Sequence, residues 1–312
     1  MDLPNLESLD VYGKRVIVRA DLDIEAQDFE KDLRIRSLIP TLDYLKEHKA
    51  EIVLIGHRGR PEGKYDENLS LKSFQSYFSK WGARVEENLR FNRGEERNDL
   101  GFAKELSTLG DFYVNEAFGN SHREHASIVG VPKLLPHAAG FHFIKEVENL
   151  SKVFGSKALF ILGGVKEDKL EYLAGLGKIA EKILIGGRLP VYLEDKEIDK
   201  DKVVVANLMP DKEDLTINSI ERFEKEIAKA GTIVLSGPMG KFEDLGHRQG
   251  TERIFKAVSL SSAFKVVGGG DSLSVISIYN LKNKFDWVSV GGGAMLEFLV
   301  KKTLPGIEAL IV

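Results

Sequence analysis

The strongest constraint on the fold is the alternation of short apolar runs with amphipathic, helix-like segments. The runs are rich in Val, Ile and Leu without clean two-residue alternation, which is typical of strands buried on both faces of a parallel sheet. They are VIVRADL (16–22), EIVLIGH (51–57), FYVNEAF (112–118), ALFILGG (158–164), KILIGG (182–187), KVVVANL (202–208), TIVLSG (232–237), KVVGGG (265–270) and WVSVGGG (287–293). Helical patterns lie between them at 34–48, 71–81, 219–230 and 294–302. This order predicts an α/β fold with parallel sheets.

The residues that follow the predicted strands divide the chain into two halves. Up to about residue 150 the strands end in Arg and His, and after residue 156 they end in glycine clusters. A helical pattern, HFIKEVENLSKVF (142–154), lies at the changeover. A length of 312 residues is enough for about two domains. We therefore predict two Rossmann-like domains, residues 1–150 and 151–302, joined by a hinge helix.

The composition excludes several classes of protein. Apolar residues make up 43% of the chain and charged residues 29%, which is typical of a globular protein. The net charge of −4 does not indicate a nucleic-acid partner. The absence of cysteine excludes disulfides, thiolate metal ligands and a cysteine nucleophile, and it fits a reducing compartment.

The apolar runs are too short to indicate a membrane protein. The N-terminal segment MDLPNLESLD lacks the apolar core of a signal peptide. None of the runs approaches the roughly 20 residues that a membrane-spanning helix needs. The sequence therefore predicts a cytoplasmic protein without a membrane partner.

Cationic side chains follow the predicted strands of the N-terminal half. Because ligands of open parallel sheets bind beyond the carboxyl ends of the strands, we expect these side chains to converge. Planar guanidinium groups match phosphate and carboxylate bidentately, so the set indicates a site for a small phosphorylated acid. The set, with one neighbouring acid, is Arg19, Asp21, Arg34, His57, Arg58, Arg60, Arg90, His122, Arg123 and His125.

Two other readings of these residues remain open. Any one of the arginines, taken alone, is more often a solvated surface charge than a ligand. The His-x-x-His spacing in SHREH (121–125) resembles a zinc motif, but it lacks a carboxylate partner. Only the whole set, placed just after apolar strands, favours the anion site.

Glycine clusters mark the C-terminal half. They occur at 163–164, 186–187, 237–240, 268–270 and 291–293. A glycine run between a strand and a helix lets backbone amides approach a phosphate, although a tight turn alone also explains such a run. Asp271, in GGGDS, is a candidate Mg²⁺ ligand, and Lys166 and Lys169 could neutralise phosphate oxygens. SGPMGKF is not a Walker A motif, and no GxGxxG fingerprint follows a strand.

The residues alone thus indicate an anion site in one domain and a magnesium-nucleotide site in the other. That combination suits phosphoryl transfer, in which catalysis consists of positioning and charge stabilisation. Domain closure would exclude water from the reaction.

The ordered motifs resemble those of the phosphoglycerate kinase family over nearly the whole chain. The matching segments are VIVRADLD, LRIRSLIPTLDYL, GHRGRPEG, ENLRF, LGDFYVNEAFGNSHREHAS, ILGGVKEDK, SGPMGKFE, VVGGGDS, VGGGAMLEFL and LPGIEAL. The resemblance implies a monomeric, hinge-bending kinase that transfers a phosphoryl group reversibly between 1,3-bisphosphoglycerate and ADP. It also implies Mg²⁺ and a role in glycolysis.

The resemblance assigns residues to two sites by matching motif. The 3-phosphoglycerate site would comprise Asp21, Asp23, Arg34, His57, Arg60, Arg90 and Arg123. The ATP/ADP site would comprise Lys166, Lys169, Gly187, Ser236, Pro238, Glu243, Gly268, Gly269, Gly270, Asp271, Ser272, Gly291 and Gly292. Glu243 would hold the ribose, Asp271 the Mg²⁺, and the catalytic residues would be Arg34, Lys166, Gly270 and Gly293. The C-terminal tail, about 303–312, would pack on the N-terminal domain.

The chain also departs from the family pattern. It lacks segments after SLKSFQSYF and, more extensively, between GGRLPVYL and LTINSI, where the family builds its adenine pocket. Arg188 replaces a glycine there. Asp23 and Ser236 each replace an asparagine, and Lys166 and Lys169 are three residues apart rather than four, which leaves open which one contacts the transferring phosphoryl group.

Because of these departures, two functions other than that of an active phosphoglycerate kinase remain open. One is a kinase with an altered substrate or nucleotide. The other is a non-catalytic relative that binds a phosphoacid or a protein partner. Nucleotide binding that depends on Mg²⁺ separates a kinase from a pure acid-binding module.

Overall fold

The chain forms two compact units, seen in a computed structural model that describes residues 2–24, 26–193 and 198–311, without the side chains of 26–28. One unit comprises Met1–Glu148 with Thr303–Val312, and the other comprises Asn149–Lys302. The ends of the chain, Met1 and Val312, fall in the predicted N-terminal domain and its tail, and both lie outside the described residues. No helix of the described ranges is long and apolar enough to cross a membrane.

A parallel sheet forms the centre of the first unit. Its strands are β1 (Arg15–Arg19), β2 (Glu51–Ile55), β3 (Arg84–Val85), β4 (Phe112–Asn115) and β5 (His137–Ala139). The sheet order is β3-β2-β1-β4-β5, and every ladder is parallel. Strand β1 is therefore central, which explains why Val16, Ile17 and Val18 are fully buried.

The helices of this unit are α1 (Leu33–Glu47), α2 (Gln75–Phe78), α3 (Arg93–Glu96), α4 (Leu100–Ser107), α5 (Phe141–Ser151) and, near the C-terminus, α11 (Pro305–Glu308). Helix α1 begins where the Asp32 side chain accepts a hydrogen bond from the Arg34 N–H. It packs on the sheet through Leu38, Leu42 and Leu45. Helix α5 contains the boundary between the two units.

A second parallel sheet forms the centre of the other unit. Its strands are β6 (Ala158–Leu162), β7 (Ala180–Ile185), β8 (Val203–Val205), β9 (Thr232–Ser236), β10 (Phe264–Gly268) and β11 (Trp287–Ser289). The order is β11-β10-β9-β6-β7-β8. Its helices are α6 (Leu173–Ile179), α7 (Ile217–Ile227), α8 (Gln249–Leu260), α9 (Gly270–Ile278) and α10 (Gly292–Lys301). In α7, Ile220, Phe223 and Ile227 recur at helical spacing and are buried.

The predicted fold class, two parallel-sheet α/β domains, is confirmed. Each predicted apolar run contains a strand, but β3 and β5 of the first sheet were not predicted, because Arg84–Val85 and His137–Ala139 do not form a run of Val, Ile and Leu. The single helix predicted at 71–81 is instead α2 between two 3₁₀ turns, ending at Gly82 with φ of 68°. Phe74 and Phe78 pack there on Phe29, at ring-centroid distances of 4.2 and 5.6 Å. Tertiary packing decides the geometry of so short a segment.

Candidate functional site

The loops at the carboxyl ends of β1 and β2 form the candidate site of the first unit. Asp21 and Asp23 follow β1, and His57 and Arg60 follow β2, the strand beside it. The Asp23 carboxylate joins the two loops, because its Oδ1 accepts the Gly59 N–H at 2.8 Å. The parallel arrangement thus brings residues that are distant in sequence to one edge of the sheet, as ligands of such sheets require.

Arg19 supports this edge from inside. The sequence placed it after the first strand, but it is the last residue of β1 and is fully buried. Its Nε donates to Ser127 Oγ at 2.9 Å, and Ser127 Oγ donates to the buried Glu95 at 2.6 Å. Its Nη2 donates to His57 Nδ1 at 2.9 Å. The guanidinium therefore has partners that make its burial tolerable, and it fixes the orientation of His57.

His57 is held as a neutral hydrogen-bond donor. Burial, and then the charges of Arg19, Arg90 and Arg123, lower its pKa well below the usual value. Because Arg19 can only donate, Nδ1 of His57 must accept, and the ring proton lies on Nε2. This Nε2 lies 4.0 Å from Asp23 Oδ2. The imidazole can thus donate one hydrogen bond to an anion.

Arg60, Arg90 and Arg123 lie close enough to influence one another. Burial and the charge of Arg123 lower the pKa of Arg90, while burial and the charge of Arg60 lower the pKa of Arg123. Arg90 is fixed because its Nη1 donates to the Gly59 carbonyl at 2.8 Å. Like charges held together in this way favour the binding of an anion that neutralises them.

Arg34 is oriented by acceptors on two sides. Its Nε and Nη2 donate to the Asp32 carboxylate at 3.0 and 2.7 Å, and its Nη1 donates to the Asp23 carbonyl at 2.6 Å. Burial lowers the pKa of Arg34, but the hydrogen bonds to Asp32 and the nearby carboxylates outweigh that effect and raise it. These contacts use three of the five N–H groups of a guanidinium. In the described part of the chain, they leave one N–H on each terminal nitrogen to meet a ligand.

Asp23 does not leave an uncompensated negative charge. Besides the Gly59 N–H and His57, its charge acts on Arg34, Arg90 and Arg123. The expected repulsion between Asp23 and an anionic ligand is thereby countered by the cations around it. The sequence departure at this position is therefore compatible with an anion site.

A cleft of about 550 Å³ forms the candidate site of the second unit. Its walls are Gly164, Val165, Gly187, Arg188, Glu213, Pro238, Gly240, Lys241, Phe242, Glu243 and Asp271. Gly187 has a φ of 60°, and a Cβ there would lie 2.5 Å from the Gly164 backbone. A side chain at Gly187 would collide with that wall, so the cleft requires glycine at this position.

The two predicted phosphate-binding lysines differ in placement. Lys169 Nζ lies at the ends of β6 and β9 and donates to the carbonyls of Gly163 and Ser236 at 2.7 and 3.0 Å. Burial lowers its pKa to about 8, although the charge of Asp271 opposes that effect. Lys166 is exposed. Lys169 is thus the lysine that the fold holds at the edge of the sheet.

The N-termini of α9 and α10 approach each other beside this cleft. Gly269, with a φ of 100°, precedes α9, and a Cβ on Gly292, in the first turn of α10, would lie 3.0 Å from the Cα of Gly269. Side chains would separate the two loops. Two helix N-termini placed together present backbone N–H groups and positive partial charge, which suit phosphate oxygens.

The remaining residues of the GGGDS run surround α9. Gly268 ends β10, and Gly270, Asp271 and Ser272 form the first helical turn. Ser272 Oγ accepts the Gly237 N–H at 2.8 Å. Ser236 is fully buried at the end of β9, and its Oγ has no hydrogen-bond partner among the described residues. A buried hydroxyl without a hydrogen-bond partner is consistent with a site in which a bound ligand supplies that partner.

The donor set fits a magnesium ion carried by phosphates. Asp271 is exposed and lines the cleft, next to the helix N-termini. Within the described ranges no group of three or more His, Cys, Asp or Glu side chains could hold a metal ion. Mg²⁺ commonly takes one or two carboxylates together with substrate phosphates and water, so a single carboxylate here meets the requirement.

Three charged residues of the cleft lining form a group that we call the charged wall. Glu213 lies between Arg188 and Lys241, with its oxygens 3.7 Å from Arg188 Nη1 and 3.9 Å from Lys241 Nζ. The sequence singled out Arg188 as a departure from the family pattern, but nothing in it indicated Glu213. The exposed Glu243 lies in the same lining.

The structure therefore brings most of the residues predicted from the sequence to the edges of the two sheets. In the second unit, only some of them line the cleft. Gly187, Pro238, Glu243 and Asp271 line the cleft itself. The other residues predicted in the second unit are not part of its lining: Lys166, Lys169, Ser236, Gly268, Gly269, Gly270, Ser272, Gly291, Gly292 and Gly293. Gly291 precedes α10, and Gly292 and Gly293 begin it.

Comparison with known proteins assigns a family to this arrangement. The family model of phosphoglycerate kinase matches residues 6–86, 82–207 and 190–302. Phosphoglycerate kinase of Solibacter usitatus is 34% identical over an alignment of 389 positions, which covers 99% of this chain and 100% of that protein. That of Moorella thermoacetica is 33% identical, with 98% of each chain covered. The alignments are longer than the 312 residues here because this chain lacks segments that those relatives contain.

Solved structures show the same relationship. Phosphoglycerate kinase from Pyrococcus horikoshii superimposes with a TM-score of 0.84 at 26% identity, covering 99% of this chain and 98% of that one. The enzyme from Coxiella burnetii gives a TM-score of 0.80 at 28% identity, with 99% of both chains covered. The shortened sequence thus keeps the architecture of these longer proteins.

Proposed function

The chain belongs to the phosphoglycerate kinase family, and from that premise we propose that it transfers a phosphoryl group reversibly between 1,3-bisphosphoglycerate and ADP. The observation that carries the proposal is the pair of complementary sites. A cluster of arginines lies at the carboxyl edge of one parallel sheet, and a glycine-lined cleft with Asp271 lies at the carboxyl edge of the other. An acid-binding module alone would not need the second site.

In this proposal, the first unit binds 3-phosphoglycerate. Asp21, Asp23, Arg34, His57, Arg60, Arg90 and Arg123 form the acid site. Guanidinium groups suit both the phosphate and the carboxylate of this molecule, because each presents paired oxygens to a planar fork. The Nε2–H of His57 adds a neutral donor. Asp21 raises the pKa of Arg34 through its charge and so belongs to the same electrostatic neighbourhood.

The second unit binds ATP or ADP in the proposal. Lys166 and Lys169 neutralise phosphate oxygens, and Glu243 contacts the ribose. Gly187 and Pro238 form the walls of the cleft, and Ser236 offers its hydroxyl. The amides around Gly268, Gly269, Gly270, Ser272, Gly291 and Gly292 receive the phosphates at the two helix N-termini.

Mg²⁺ is part of this proposal, with Asp271 as its protein ligand. Asp271 would hold the ion, which would supply positive charge that offsets the charge developing on the phosphates during transfer. The protein contributes this carboxylate and an open cleft. Arg34, Lys169 or Lys166, Gly270 and Gly293 then stabilise the moving phosphoryl group by donated hydrogen bonds.

Transfer needs both substrates in one water-excluding site, so hinge bending is included in the proposal. Helix α5 is the candidate hinge, because the boundary between the units falls within it. We further propose that the protein is a monomer that acts in the cytosol as part of glycolysis.

The test is a coupled assay with purified protein, 3-phosphoglycerate, Mg²⁺ and a panel of nucleoside triphosphates. Turnover with ATP supports the proposal. Turnover with another triphosphate only would assign an altered nucleotide preference to the charged wall at Arg188, Glu213 and Lys241. Binding of 3-phosphoglycerate without turnover would favour the alternative, a non-catalytic relative that binds a phosphoacid or a protein partner.

Replacing Asp271 by alanine is expected to weaken ADP binding about 10-fold or more when Mg²⁺ is present, because the protein loses its ligand for the ion. In EDTA, wild type and variant should bind ADP about equally. Titration calorimetry under both conditions measures this. Equal weakening in Mg²⁺ and in EDTA would show that Asp271 does not act through the metal.

A further inference from the structure

His247, in the connection between β9 and α8, contacts two carboxylates. Its Nδ1 lies 2.8 Å from Asp244 Oδ2, and its Nε2 lies 2.8 Å from Asp211 Oδ2. A neutral imidazole has only one N–H, so it could donate to only one of these acceptors. Both contacts together require the doubly protonated imidazolium. The mechanism above does not use this residue.

Asp211 connects His247 to a short hairpin, residues 208–215. The hairpin is closed by an antiparallel bridge between Leu208 and Leu215 and by the Met209 N–H, which donates to the Asp214 carbonyl at 2.9 Å. The second oxygen of Asp211 accepts the Glu213 N–H at 3.1 Å. One carboxylate thus binds His247 with one oxygen and the backbone of Glu213 with the other.

Glu213 links Asp211 to the cleft, because its N–H contacts Asp211 and its side chain lies in the cleft lining. Its side chain lies between Arg188 and Lys241 in the charged wall, and its carbonyl accepts the Lys241 N–H at 2.9 Å. The hairpin lies in the part of the sequence, between GGRLPVYL and LTINSI, that is shortened relative to the family. Through Asp211 and Glu213, His247 therefore contributes to the position of the charged wall.

We propose that protonated His247 is a positioning residue for nucleotide binding, which holds hairpin 208–215 so that Glu213, Arg188 and Lys241 form the wall of the cleft. This inference rests on the proposed function, since it assumes that the cleft takes a magnesium nucleotide. Loss of the His247 proton removes one of the two carboxylate contacts. The hairpin then loosens, and the affinity for the nucleotide falls.

The charged groups around His247 determine the direction of the pH effect. Asp244 and Asp211 face it and raise its pKa by hydrogen bonding and charge. Asp214, in the hairpin, is within reach of its charge, and Lys241 acts on Asp244. Because the pKa of His247 is raised in the folded protein, both carboxylate contacts are present below the ordinary histidine pKa of about 6.5. One of them is lost as pH rises through the raised value.

The experiment measures the Kd of Mg–ADP by titration calorimetry between pH 6 and pH 9. We expect the Kd of wild type to rise about 10-fold more across this range than that of His247→Gln, because only wild type loses a charged hydrogen bond at His247, whereas both proteins lose the Lys169 cation above about pH 8. His247→Gln should therefore bind more weakly than wild type at pH 6 and about as weakly as wild type at pH 9. Asp211→Asn should shift the change to lower pH, because it removes one of the charges that favour the imidazolium. The nucleotide phosphate also titrates near pH 6, so the readout is the difference between wild-type and variant profiles.

A matched control is His137→Gln, in β5 of the other unit, where Nδ1 contacts only a backbone carbonyl among the described residues. It should follow the wild-type profile. Hydrogen exchange of the amides of residues 209–215 gives a second readout, which should speed up in His247→Gln at pH 6. Superimposable profiles for wild type and His247→Gln, with turnover intact, would overturn the positioning role alone. Failure of wild type to bind Mg–ADP at pH 6 would overturn the proposed function as well.

Discussion

Replacing Arg34 by alanine is expected to lower kcat by about 10³-fold or more, as when an arginine that stabilises phosphoryl transfer is removed. Arg34 is held by Asp32 and by the Asp23 carbonyl, and two of its N–H groups remain for a ligand in the described part of the chain. Because its orientation is fixed before substrate arrives, little reorganisation is needed during transfer. Steady-state kinetics with saturating substrates measure the loss.

The matched control is Arg36→Ala, two residues further along the same helix. Arg36 is exposed, and its Nε makes a long contact of 3.4 Å to the Glu30 carbonyl. Its removal should leave kcat and the melting temperature nearly unchanged, as for most surface substitutions. If Arg34→Ala retained activity close to that of Arg36→Ala, Arg34 would not be a catalytic residue.

Replacing Lys169 by methionine is the second change with a large expected effect. Its ammonium donates to the carbonyls of Gly163 and Ser236, which uses two of its three N–H groups. The third can meet a phosphate oxygen at the edge of the sheet. Removing such a preorganised donor typically lowers kcat by about 10²- to 10³-fold. Lys166→Met, three residues earlier and exposed, is the matched control and should lose less.

Lys169 also predicts a pH dependence. Because burial lowers its pKa to about 8, the free enzyme loses this cation as pH rises through that value. The kcat/KM for the nucleotide should therefore fall above about pH 8, approaching 10-fold per pH unit. Lys169→Met should lack this decline, whereas His247→Gln should retain it. A larger loss in Lys166→Met than in Lys169→Met would reverse the assignment of the two lysines.

The fold could be predicted largely because strand burial leaves a direct signal. Continuous apolar runs such as EIVLIGH and TIVLSG, rich in Ile, Val and Leu, are typical of strands buried in a parallel sheet. Strand β3, with Arg84 and Val85 only, carries too little pattern to be recognised. The helix predicted at 71–81 fails because the rings of Phe29, Phe74 and Phe78 determine its geometry through contacts that no local pattern encodes.

The site was less predictable where side chains act through other side chains. Motifs placed His57 and Asp271 beside a recognisable strand end and a glycine run, and Arg34 at the start of a helical pattern. They did not indicate that Arg19 is an interior support, because an arginine at a strand end usually faces solvent. Glu213 and His247 lie in segments without a motif, and contacts that appear in three dimensions, such as those of Asp211, connect them.

The tail of the chain has a consequence for how the protein is made. Leu304, Ile307 and Leu310 are buried within the first unit, and the Gly306 N–H donates to the Ser121 carbonyl at 2.9 Å. When the ribosome has synthesised residues 1–148, the tail that completes the core of this unit has therefore not yet been made. The ribosome must first complete the second unit, whose residues 149–302 are contiguous. The segment made first is thus completed last, and a nascent chain interrupted before residue 303 would expose the apolar surface that the tail covers.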